Sequence, residues 1–302
     1  MYKESAWLLD FAYNVYSETG EDGIIEKIIE ILPQTNKWCV EFGAWDGIRA
    51  SNTRYLIENK FYSAVLIEAD KQRFEQLRRN YLNHPRVIVL NKTVGWDCNS
   101  NLDQILKEVP EIPLDFDFLS IDVDGNDYHI WKAIVKYKPK VICIEFNPTI
   151  PNEVIFIQPP NPNIHQGASL SALVELGKVK GYELVAVLDY NAFFVLREFY
   201  PLFHIKDNSP HILRKSYDRI TYLFHGYDGT IFLYGNKRLC WHGVPIKEFQ
   251  ILPKVLRKYP SYYSIFQKIL LAIWLFFSDP VYIISKIKKK GVKACFTNLF
   301  KK

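Results

Sequence analysis

The stretch Val40-Glu41-Phe42-Gly43-Ala44-Trp45-Asp46-Gly47 joins the end of an apolar run, Trp38–Phe42, to an acid and a glycine-bounded turn. A short apolar run bounded by a turn reads as a buried strand, and glycine lets the main chain pass close to a ligand. Twenty-one residues after Gly47, a second apolar run (64–67) ends in Glu68, with Asp70 just beyond. An acid at the end of a second strand suits the hydroxyls of a ribose. Further runs at 87–90, 116–121 and 141–146 are nearly continuous in apolar residues, as expected of parallel strands covered on both faces.

Between these runs the spacing predicts helices over 22–32, 52–59, 71–81, 102–109, 128–137 and 169–180, the last ending at Gly181 as a left-handed cap. Two more strands, 184–188 and 192–196, follow closely enough to pair antiparallel. Alternating strands and helices predict an α/β chain with a parallel sheet. Five parallel strands finished by an antiparallel pair resemble the seven-stranded, Rossmann-like sheet of class I methyltransferases, with helices on both faces. Residues 147–163 interrupt the rhythm with prolines at 148, 151, 159, 160 and 162. A stiffened loop after the fifth strand lies where open α/β sheets bind ligands, so it is expected to act as a lid or recognition element.

Ser120-Ile121-Asp122-Val123-Asp124-Gly125-Asn126-Asp127 ends the fourth strand. Strand alternation would place Asp122 and Asp124 on one side, and Asp127 reads as a helix N-cap. Twenty-three residues after Asp122, Glu145-Phe146-Asn147-Pro148 ends the neighbouring strand. Asp122, Asp124, Glu145 and Asn147 then form an oxygen-rich group fit for Mg²⁺ or another divalent cation, or for acceptor hydroxyls. The competing reading is that these acids only cap helices and brace loops. In the first turn Gly-Ala-Trp-Asp-Gly lacks the middle glycine that GxGxxG turns use for a pyrophosphate. This disfavours NAD and favours S-adenosyl-L-methionine, held by Glu41, Gly43, Ala44, Asp46, Glu68 and Asp122. Asp122, Asn147 and His165 are the catalytic candidates, with His165 as the base.

Taken together, these motifs resemble the FkbM-type methyltransferases over roughly residues 16–200. The resemblance rests on Gly20-Glu21-Asp22-Gly23-Ile24-Ile25, the 40–47 turn, Glu68, 121–125 and Glu145-Phe146-Asn147. It continues through Gly167-Ala168-Ser169-Leu170, Gly181-Tyr182 and Asn191-Ala192-Phe193-Phe194-Val195. It implies transfer of a methyl group to a hydroxyl, often of a sugar or polyketide-derived acceptor. The carboxylate placement is also similar to that of metal-assisted macrolide-sugar O-methyltransferases. Two alternatives stay open at this level: a nicotinamide-dependent oxidoreductase, and a non-catalytic, membrane-tethered binding module.

Charge divides the chain. Residues 251–302 hold eleven Lys/Arg and the single acid Asp279, against an overall net charge of +5, so the remainder is mildly acidic. The expected organisation is a methyltransferase domain over 1–250 and a basic amphipathic helical tail over 251–302. Ile265 to Phe277, IFQKILLAIWLFF, spans about 20 Å as a helix, too short for a hydrocarbon core of roughly 30 Å. With Lys286, Lys288, Lys289 and Lys290 beyond it, the tail predicts in-plane binding to an anionic membrane surface. Nucleic acid is disfavoured, because no base-stacking aromatics interleave with the lysines. The N-terminal segment does not read as a signal peptide, and the five cysteines form no CxxC. Together these predict a cytoplasmic protein peripheral to the inner face of the membrane.

Overall fold

The computed structural model describes residues 4–282 together with 284, 285 and 288. The chain forms two compact units, Met1–Tyr217 and Asp218–Lys302.

In the first unit the elements run α1 (Glu21–Ile31), β1 (Trp38–Phe42), α2 (Arg54–Asn59), β2 (Ser63–Glu68), α3 (Lys71–Asn80), β3 (Val87–Asn91) and α4 (Leu102–Ile105). They continue with β4 (Phe118–Ile121), α5 (Asp127–Ala133), β5 (Val141–Glu145), α6 (Leu170–Lys180), β6 (Tyr182–Val187), β7 (Asn191–Leu196) and α7 (Pro210–Leu213). The seven strands form one sheet in the order β3-β2-β1-β4-β5-β7-β6. The first five are parallel, and β7 runs antiparallel between β5 and β6. The chain moves one way from β1 to β3 and the other way from β4 to β5. Right-handed crossovers therefore set α2 and α3 on one face and α5 on the other.

Local chemistry fixes the helix ends. Asp70, Asn101 and Ser169 accept hydrogen bonds from the amides of Arg73, Gln104 and Ala172, capping α3, α4 and α6. Gly181 ends α6 at φ 84°, a conformation that glycine adopts without steric cost. The predicted strands and this cap are present. Asp127 is not an N-cap: Asn126 holds that position and Asp127 opens α5 as its first residue.

The core is apolar and closed. Cys39, Val40, Phe42, Leu119, Ile121, Ile142, Cys143 and Ile144 are all buried. Cys39 and Cys143 are free thiols, whereas Cys295 lies outside the described residues.

The second unit contains the antiparallel hairpin β8 (Thr221–His225) and β9 (Ile231–Gly235), and the helix α8 (Ile265–Ser278). The boundary expected near residue 250 falls inside this unit, because β8 and β9 pair with each other and form a separate sheet. No helix among the described residues is long and apolar enough to cross a membrane. Of the four-lysine cluster, only Lys288 lies within the described residues.

Candidate active site

The order β2-β1-β4-β5 reverses direction between β1 and β4, and open α/β sheets bind ligands at that point, beyond the carboxyl ends of the strands. Register aligns the candidates there. Ile67 pairs with Phe42, Phe42 with Ile121 and Ile121 with Ile144, so Glu68, Gly43, Asp122 and Glu145 stand level in one row. Asn191 extends the row as the antiparallel partner of Glu145, with its side chain on the same face.

Gly43 has φ 73°, and a β-carbon there would overlap the carbonyl oxygen of Asp122. Glycine is thus required both by dihedral and by the approach of the β4 loop. Trp45, also left-handed at φ 49°, donates its amide to Glu68 Oε2 at 2.9 Å. Glu68 Oε1 accepts from the Asp70 amide at 2.7 Å. Each oxygen of this buried carboxylate accepts one such bond and keeps lone-pair capacity for hydroxyl donors. Ala44 is buried, its amide on Ile67 O, and Asp46 Oδ1 accepts from the amides of Ile48 and Arg49. Asp46 thereby braces the turn that carries Gly43.

Glu41, expected among the cofactor contacts, turns its carboxylate into the protein. Its carboxylate is buried beneath the 51–53 loop and accepts from Ser51 Oγ (2.7 Å), Thr53 Oγ1 (2.6 Å) and the Asn52 amide (2.9 Å). Burial pushes its pKa up, and these donors oppose the shift. Asn52 Nδ2 in turn donates to Ser120 Oγ on β4. The loop after β1 is therefore clamped to the sheet, and both Glu41 oxygens are used in the clamp.

Asp122, Asp127 and Glu145 converge, with one carboxylate oxygen from each within 4.8 Å of the others. Asp127 is buried and accepts from the Val123 and Gly125 amides at 2.9 Å each, which folds the loop back and carries it to the cluster. Burial, then the neighbouring carboxylates, pushes Glu145 up to about 10 and Asp122 well above the ordinary range. Burial pushes Asp127 up to about 6, against the pull of the loop amides. None of the ion pairs among the described residues involves these three acids. Three clustered carboxylates with no cationic side chain paired to them suit a divalent cation; without one, Glu145 and Asp122 are the members held toward the protonated form.

The expected four-residue group is only partly assembled. β4 ends at Ile121, so alternation does not carry on to Asp124, which is exposed at φ 55°. Asn147 Oδ1 accepts from the amide and hydroxyl of Thr149, and Nδ2 donates to Gln166 O. The Asn147 side chain thus braces its own loop. His165 is exposed, with Nδ1 3.0 Å from Asp124 O. Because a carbonyl only accepts, Nδ1 carries the proton and Nε2 is left as the basic nitrogen.

The roles of three residues escape the sequence-level reading. Gln158, 1% exposed, donates to Asn126 Oδ1 and Ile164 O and accepts from the amides of Gln166 and Gly167. Arg214, also buried, donates to the carbonyls of Pro148 and Ile150 and to Asn152 Oδ1. The proline-rich loop is consequently pinned at both ends. Asn191 donates to Glu21 Oε1 at 3.0 Å, and its buried Oδ1 has no hydrogen-bond partner among the described residues. The Arg214 contacts and the Gln158–Asn126 bond are long-range and leave no local pattern, whereas Asn191 opens a strand next to the expected site.

No family model matches the chain, and no curated protein matches it. Similar solved structures include a Klebsiella pneumoniae protein provisionally named an O-methyltransferase, 16% identical over 61% of this chain and 83% of that one, with a TM-score of 0.43. An O-methyltransferase from Bacillus cereus in complex with S-adenosylhomocysteine is 18% identical over 62% of this chain and 85% of that one, with a TM-score of 0.42. A Staphylococcus aureus protein provisionally named a caffeoyl-CoA O-methyltransferase is 14% identical over 62% and 87%, with a TM-score of 0.41. The strand order, with β7 antiparallel between β5 and β6, is itself diagnostic: the chain has the Rossmann-like class I methyltransferase fold.

Proposed function

We propose that this chain is an S-adenosyl-L-methionine-dependent O-methyltransferase acting on a hydroxyl group of a sugar or glycan. The observation that carries the reading is the row Glu68, Gly43, Asp122 and Glu145, set across four adjacent strands where the sheet order reverses. Bound S-adenosyl-L-methionine supplies a methyl group already activated on a sulfonium. Glu68 holds the ribose hydroxyls with its remaining lone pairs, and the Gly43 turn admits the cofactor without a side chain in the way.

The carboxylates of Asp122, Asp127 and Glu145 would hold a divalent cation, which supplies charge to orient and acidify the acceptor hydroxyl. Asp127 takes the place of Asp124, which is exposed beyond the strand end, and of Asn147, whose side chain is used in bracing its own loop. His165 Nε2 takes the acceptor proton, its ring steadied through Nδ1 by Asp124 O. Alignment of acceptor and methyl group is the larger contribution, since effective molarities are worth roughly 7–11 kcal/mol. The loop pinned by Gln158 and Arg214 supplies a rigid wall for that alignment. The FkbM-like motifs point to sugars as the acceptor class.

The test is transfer of labelled methyl from S-adenosyl-L-methionine to nucleotide-sugars, polysaccharides and glycolipids, with and without Mg²⁺. Transfer to one of these classes, lost in Asp122→Asn and reduced at least about tenfold in His165→Ala, supports the assignment. Transfer that survives Asp122→Asn and Glu145→Gln overturns the carboxylate assignment.

A further inference from the structure

We propose that the unit from residue 218 onward docks on an anionic lipid surface through its β-hairpin as well as through its terminal helix. In β8–β9, Tyr222 pairs with Tyr234 and Phe224 with Phe232. Side chains two apart on a strand share a face, so the four rings form one aromatic ladder. They are 40%, 68%, 51% and 45% exposed in the order Tyr222, Tyr234, Phe224 and Phe232. The phenylalanine rings stack at 5.4 Å, and the tyrosine rings lie 6.4 Å apart. The opposite face holds Ile231, which is buried, Leu233, which is half-buried, and Leu223, which is 56% exposed. The hairpin therefore buries its aliphatic side only at Ile231, while its aromatic side is exposed along its whole length.

A contiguous exposed apolar patch of this kind marks an interaction surface. The helix α8 carries a second one. Ile265, Ile269, Ile273 and Phe276 recur at helical spacing on one face and are 49–79% exposed. Its start is fixed by a capping box between Ser264 and Gln267. Fourteen residues give about 21 Å, short of a bilayer core, so the helix lies in the membrane plane.

Charge decides the occupant. Residues 218–302 carry fifteen Lys/Arg and four Asp/Glu, a net of +11, while residues 1–217 carry a net of −6. A second copy of so basic a unit would be repelled, and a nucleic acid has no use for an aliphatic helix face. An anionic leaflet satisfies both features: it attracts the basic residues, and its interface suits aromatic rings with a hydroxyl at one end. Lys237 and Arg238, both exposed, follow β9 directly and would meet the headgroups as the rings enter. This docking surface exists whether or not the methyl-transfer reading holds.

The full-length protein should be sedimented with vesicles of phosphatidylcholine alone and of phosphatidylcholine with phosphatidylglycerol, at low and high salt. Binding is expected only to the anionic vesicles, and salt should weaken it. The pair Phe224→Ser and Phe232→Ser should reduce binding about tenfold, and the pair Ile269→Asp and Phe276→Asp at least as much. Anionic vesicles should also slow hydrogen exchange of the 221–235 amides in the wild-type protein, a readout that needs no variant to fold. Failure of the wild type to bind overturns the proposal. So does binding that neither protects the hairpin nor responds to its substitution, or a dimer in light scattering that the hairpin substitutions dissolve.

Discussion

The main chain of Gly43 lies against the carbonyl oxygen of Asp122, so closely that a β-carbon at position 43 would overlap it. This contact joins the loops after β1 and β4, on either side of the point where the sheet order reverses. The turn after β1 and the acidic cluster are thereby held as one piece. Gly43→Ala meets both the overlap and φ 73°, and should destabilise the first unit by about 1–3 kcal/mol. Thermal unfolding checks this, and an unchanged midpoint would mean that the two loops are not coupled.

Glu145 should make stability depend on pH in an unusual direction. Its folded pKa of about 10, set first by burial and then by Asp122, lies above the ordinary glutamate value of about 4.3. The folded state then keeps a proton that the unfolded chain gives up. Stability from this group is fully present below about pH 4 and is lost as pH rises toward 10. Asp127, raised to about 6, adds to the same slope between about pH 4 and 6. Glu145→Gln should flatten the slope, gaining about 1–2 kcal/mol at pH 9 while lowering methyl transfer. Added Mg²⁺ should raise the wild-type unfolding midpoint more at pH 9 than at pH 5, and should do so less in the variant. Equal pH profiles for wild type and variant would contradict the account.

Glu68 links the Trp45 and Asp70 amides and is the acid assigned to the ribose. Glu68→Gln removes a charged acceptor and should weaken S-adenosylhomocysteine binding about tenfold, or about 1.4 kcal/mol. Calorimetry on the variant measures this directly, and unchanged affinity would move the ribose contact elsewhere.

Gln158 clasps the segment around His165 through three hydrogen bonds and ties it to Asn126 with a fourth. Gln158→Ala leaves buried donors and acceptors unpaired, a cost of about 1–3 kcal/mol for each group left without a partner. The expected result is a lower kcat with S-adenosylhomocysteine affinity within about twofold of wild type, since the clasp lies on the acceptor side. Loss of both together would make Gln158 merely structural.

How much of this could be read from the sequence varied with the range of the interactions. The strands, the Gly43 turn and the Gly181 cap follow from residue type and short spacing, and they stand where those predict. Asp127 was hidden because an N-cap rule explains an acid before a helix, whereas its carboxylate turns back to the Val123 and Gly125 amides. Glu41 looked like a ligand contact because it precedes the turn; only the fold reveals Ser51 and Thr53 above it. The β8–β9 hairpin did leave a signal, Asp228-Gly229 between two aromatic runs, where Asp228 accepts from Thr230. The pins from Arg214 to the loop and from Gln158 to Asn126 join segments that are distant in sequence, and periodicity carries no trace of them.

The central claim is that the row ending β1, β2, β4 and β5 binds S-adenosyl-L-methionine. Calorimetric titration of the whole protein with S-adenosylhomocysteine, with and without Mg²⁺ and beside NAD, tests it most directly. Saturable one-to-one binding of S-adenosylhomocysteine, with no heat from NAD, is the predicted result. Absence of S-adenosylhomocysteine binding, or NAD binding in its place, would contradict it.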